Sequence, residues 1–80
     1  MARFVIEHRH EPHECAVVFA AFKGHASPLR KQPAPAACRY GEHAIWWTVE
    51  AVSAADALAA LPRYVASRSR ATRVSDVVIP

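Results

Sequence analysis

The chain has 80 residues, 52% of them hydrophobic, and a formal charge of +3, which fits one domain spanning residues 1–80; a chain of this size buries only about 60 to 65% of the surface it exposes when unfolded. No apolar run approaches the ~18 residues of a membrane-spanning helix, and the basic surplus at Arg63, Arg68, Arg70 and Arg73 reads as a solvated helix end. The chain opens without a basic-then-apolar leader, so it is expected in a reducing cytoplasm with both cysteines as thiols.

Residues 3–8, Arg-Phe-Val-Ile-Glu-His, place Phe4, Ile6 and His8 in one phase and predict a first strand. Pro12 suits the first turn of a helix, in which Cys15, Val18, Phe19 and Phe22 recur at helical spacing before Gly24 ends it. His25–Ala37, with Pro28, Pro33 and Pro35, is a loop. Ala36–Tyr40 reads as a short second strand and Gly41 as a turn, followed by the strongest strand, His43–Ala51.

In that strand Trp46 and Trp47 face opposite sides. Ser53 with Asp56 predicts a capped helix carrying Leu58 and Leu61. Pro62 should kink that helix or start a second short piece holding Tyr64 and Val65. Residues 73–79, rich in valine and isoleucine, read as the last strand.

The resulting β-α-β-β-α-β order predicts an α+β fold, a four-stranded antiparallel sheet with two helices on one face. This order resembles the ferredoxin-like class, and within it the dimeric α/β-barrel group of small bacterial proteins. The resemblance implies a homodimer packed sheet against sheet, and Val5, Trp46 and the apolar last strand would supply the association surface.

The chemistry-bearing residues gather in H-R-H-E-P-H-E-C, which carries His8, His10, His13 and Cys15, and across the expected hairpin at Cys38 and His43. Imidazole nitrogen and thiolate sulfur suit zinc, nickel or copper. The H-x-H-x2-H-x-C spacing is not a zinc-finger signature; heavy-metal domains of the ferredoxin-like class use a C-x-x-C motif that this chain lacks.

On the predicted topology the six residues meet at one end of the sheet. His8 and His43 lie in phase with the apolar sets of their strands, while His10 and His13 fall in a connecting loop where exposure is expected. A transition-metal site built from His8, His10, His13, Cys15, Cys38 and His43 is therefore the leading reading.

Two other readings use the same residues. The resemblance to the dimeric α/β-barrel group implies a small cofactor-independent oxygenase or isomerase, which would take His8 or His43 as acid or base beside an apolar pocket of Phe4, Phe22, Trp47 and Arg63 for a small ligand. A non-catalytic structural or interaction domain needs only hydrogen-bonded histidines and buried thiols. Nucleic acid is disfavoured as a partner, because Glu42–Val49 lacks the Lys/Arg-Gly-aromatic start of RNA-recognition strands.

Overall fold

The computed structural model describes residues 1–80. Strand β1 (Ala2–Arg9) leads through a 3-10 turn at Pro12–Glu14 into helix α1 (Cys15–Ala21), and a long loop then reaches a second 3-10 turn at Cys38–Tyr40. Strand β2 (Ala44–Ala51), helices α2 (Ala54–Leu58) and α3 (Arg63–Ala66), and strand β3 (Ser69–Val74) complete the chain. No helix is long and apolar enough to cross a membrane.

The sheet has three antiparallel strands in the order β2-β1-β3. β1 pairs with β2 from Ala2↔Ala51 to Arg9↔Ala44, and with β3 from Arg3↔Val74 to His8↔Ser69. Strand alternation sends Phe4, Ile6 and His8 to one face, where Phe4 and Ile6 pack with Ile45 and Ala51 against Val18, Ala57, Leu61 and Val65 of the helical layer.

Several local signals act as the sequence implies. Ser53 caps α2, its hydroxyl accepting the Asp56 N–H at 3.2 Å. Pro62 separates α2 from a short α3 that holds Tyr64 and Val65; α1 itself stops at Ala21, before the expected end at Lys23, and Gly24 at φ 78° closes the turn that follows.

The expected four-stranded ferredoxin-like sheet does not form. Of Ala36–Tyr40, only the start meets the sheet, as a single bridge between Ala36 and Ile45, in which Trp46 N–H donates to the Pro35 carbonyl at 2.9 Å and Ala37 N–H to the Ala44 carbonyl at 2.9 Å. Pro33 and Pro35 have no N–H to extend that ladder. From Cys38 the chain coils into a 3-10 turn closed by Gly41 at φ 96°.

The last strand is also displaced. It runs over Ser69–Val74, a mostly polar stretch that pairs with β1 from Arg3 to His8; Val77, Val78 and Ile79 lie beyond it and are exposed. The helical layer has three short helices where two were expected. On the far face of the sheet Val5, Ala44, Trp46 and Val74 are interspersed with Arg3, Glu7, Arg9, Thr48, Glu50, Arg70 and Thr72, so this face is mixed rather than continuously apolar.

Candidate metal centre

The β1–β2 ladder continues one step past the strand ends, where His10 N–H donates to the His43 carbonyl at 3.0 Å. That bond keeps His10 in the period-two register of Phe4, Ile6 and His8, so its ring turns inward and is buried. The exposure expected for a loop histidine at this position is thus overturned. His13, on the outer side of the Pro12–Glu14 turn, is exposed.

Two short arms then close on each other. In the first, the 3-10 turn after His10 carries the chain to Cys15 at the start of α1; in the second, the 3-10 turn starting at Cys38 and Gly41 carry it to His43. The donor atoms of His10, Cys15, Cys38 and His43 all lie within 4.8 Å of one another, and these four residues form a group able to hold a metal ion. Cys38 Sγ is 3.8 Å from His10 Nε2, and the His10 and His43 rings meet edge to face with centroids 5.3 Å apart. Both cysteines are free thiols.

His8 stands directly behind this group, fully buried. The Ser69 hydroxyl donates to the Val65 carbonyl at 2.6 Å, which leaves its oxygen to accept from His8 Nδ1 at 3.0 Å. A neutral His8 then presents a bare Nε2, which accepts from His10 Nδ1 at 3.0 Å. His10 Nε2, the nitrogen facing Cys38, is left with its lone pair free.

The electrostatics keep both rings in that neutral state. Burial, followed by the nearby His10, holds the pKa of His8 below the ordinary value, and burial followed by His43 does the same for His10. The Cys38 thiol is pushed up by burial and by the neighbouring Cys15 thiol. His43 Nδ1 is buried with no hydrogen-bond partner, a state that costs roughly 1–3 kcal/mol for a polar group.

The first arm is tied to α3. Glu14 accepts from the Glu11 N–H at 3.0 Å, from Arg68 Nε at 2.7 Å and from the Tyr64 hydroxyl, while the Arg68 guanidinium lies 3.8 Å over the Tyr64 ring. The Tyr64 bond first, then the Glu11 N–H and Arg68, hold the Glu14 carboxyl down at about 2.

Of the expected pocket residues, Phe22 and Trp47 line a cavity under α1, with ring centroids 6.0 Å apart. Phe4 belongs to the solid core, and Arg63 is exposed at the start of α3. Two signals went unread in the sequence. The four grouped residues are spaced as H-x4-C and C-x4-H, a mirrored pair of ligand arms, and Ser69, which orients His8, is joined to it only by the β1–β3 register.

The chain was compared with protein-family models, curated proteins and solved structures, and matches none of them.

Proposed function

We propose that the protein is a small metal-stapled domain that takes one transition-metal ion, zinc in preference to nickel or copper, through His10, Cys15, Cys38 and His43. The observation that carries this reading is the convergence of four donors from two separate arms within 4.8 Å. Zinc–sulfur bonds of about 2.3 Å and zinc–nitrogen bonds of about 2.0–2.1 Å make a tetrahedron with edges of roughly 3.3–3.8 Å. The Cys38–His10 separation already falls in that range, and a contraction of about 1 Å brings in the widest pair.

Two thiolates neutralise a divalent ion, and two neutral imidazoles complete a closed four-coordinate shell, the pattern of structural rather than catalytic zinc. Coordination through Nδ1 would also give His43 the partner it lacks. His8 acts behind the shell, fixing the His10 tautomer as hydrogen-bonded outer residues do in metal sites generally. The acid–base reading has less behind it, since both ring nitrogens of His8 are engaged and no histidine lines the cavity under α1.

The test is elemental analysis of untagged protein purified without chelator, followed by cobalt(II) titration. One equivalent of zinc is expected, together with the visible bands of tetrahedral cobalt carrying two thiolates, and both should vanish in Cys15→Ala/Cys38→Ala. Metal-free protein that binds neither cobalt nor zinc at micromolar levels would remove this reading.

A further inference from the structure

The cavity under α1 has a volume of about 320 Å³, at the small end of the roughly 300–1,000 Å³ of small-molecule sites. Its apolar side is built from Phe19, Phe22, Leu29 and Trp47, reached from α1, the following loop and β2. Lys23, Arg30 and Lys31 also line it, and no acidic residue does. The ion pairs of the molecule use Arg3, Arg9 and Arg68, so none of Lys23, Arg30 and Lys31 has a carboxylate partner.

One of them stands on an unusual backbone. Lys31 adopts φ 62°, the one residue other than glycine in the left-handed region, within a turn where the Ser27 hydroxyl accepts the Leu29 N–H at 3.1 Å. Such a conformation is disfavoured for a side chain with a Cβ and recurs where a loop clamps a ligand. An apolar slot beside unpaired cations selects a ligand with the opposite arrangement: a flat or extended hydrocarbon body ending in an anion.

We propose that this cleft binds a small organic carboxylate with an aromatic or medium-chain aliphatic body, the hydrocarbon lying against Trp47 and Phe22 and the carboxylate meeting Lys31, Arg30 and Lys23. The site is separate from the His/Cys group and shares no donor residue with it. The rim cations attract by charge, so binding weakens as salt rises.

The experiment titrates the full chain, with one equivalent of added zinc, with 2-naphthoate, 2-naphthalenemethanol and 2-naphthylmethylammonium, read by tryptophan fluorescence and by amide and indole NMR shifts. Naphthoate should bind about tenfold or more tighter than the alcohol, the usual worth of a hydrogen bond to a charged group, with the ammonium weakest and shifts centred on Trp47 and residues 29–32. Lys31→Gly removes a cation while relaxing the positive φ, so the fold is kept; it and Arg30→Gln should each weaken naphthoate about two- to fivefold, as exposed ionic contacts do, and leave the alcohol unchanged.

Equal affinity for acid and alcohol, or no saturable binding of naphthoate, would overturn the proposal. So would shifts confined to the far face of the sheet. Sedimentation with phosphatidylserine vesicles without naphthoate binding would reassign the cations to a membrane-facing patch and overturn it as well.

Discussion

The sheet with its covering helices and the segment between Phe19 and His43 are held by different means. Every buried residue lies either in the stretch from Phe4 to Val18 or in that from Ala44 to Val65; residues 19–43 contribute none. The first region is fixed by apolar burial and by strand ladders on both sides of β1. The second has turns, one bridge at Ala36 and partial packing of Phe22, Leu29 and Ala34. His10 and Cys15 stand before it and Cys38 and His43 at its far end, with their donor atoms within 4.8 Å of one another, so the proposed ion would join the two ends. The contrast teaches where a domain this small gains most from a cross-link: a stretch that buries no core of its own would be ordered by an ion joining its ends, which removes loop entropy from the competing open states.

Metal removal is therefore expected to separate the two regions, and this is the largest effect. Chelation, or Cys15→Ala, should raise amide exchange across residues 16–43 by about 100-fold or more, while β1 and its partners remain protected. Uniform loss of protection over the whole chain would mean that one cooperative unit spans both regions. No change at all would mean that the loop stands without the ligand group.

Core truncation probes the same contrast from the other side. Ile6 is fully buried in the sheet, and Ile6→Ala should cost about 2–5 kcal/mol in urea unfolding of zinc-loaded protein. Leu29→Ala in the loop, where the side chain is only half buried, should stay within about 1 kcal/mol. Comparable losses at the two positions would place the loop inside the main core and erase the distinction.

What the chain disclosed before folding follows the same division. Phe4, Ile6 and His8 announce β1 by alternation, Ser53 announces α2, and Pro62 announces the break before α3, because each is a local rule written in neighbouring residues. The fourth strand failed because Ala36–Tyr40 is judged strand-like by its own residues, whereas the sheet edge is decided by the prolines before it and the Gly41 turn after it. Valine-rich residues 77–79 drew the last strand too far along, since β propensity carries no information about which segment lies beside His8. The six candidate ligands were legible as a set; their roles were not. His10 is buried by one hydrogen bond to His43, and His8 is turned into its support by Ser69, sixty-one positions away.

That support gives the third prediction. His8→Leu keeps an apolar side chain against the core but leaves His10 Nδ1 without its acceptor, so metal affinity should fall about 10- to 100-fold although no ligand has been removed. Chelator competition measures it, and the cobalt bands should keep their positions while the dissociation constant rises. His13→Ala, on an exposed turn residue, should leave the affinity unchanged. If His8→Leu binds as tightly as the parent, the ligand group is organised without the sheet and the two regions are less connected than their hydrogen bonds imply.

The smallest effect concerns the tie between the first ligand arm and α3. Glu14 holds its proton only near pH 2, against an ordinary value of 4.5, because Tyr64, the Glu11 N–H and Arg68 all favour the anion. Its contribution to stability is in full force above about pH 4.5 and is lost as the pH falls towards 2. Glu14→Gln should therefore lower the thermal midpoint of metal-free protein at neutral pH and flatten its decline between pH 4.5 and 2 relative to the parent. Metal-free protein is the right material, since protonation of thiolate and imidazole ligands would otherwise release the ion over an overlapping range. Parallel pH profiles for parent and variant would show that Glu14 does not hold the arm, leaving the His10–His43 backbone bond as its anchor to the sheet.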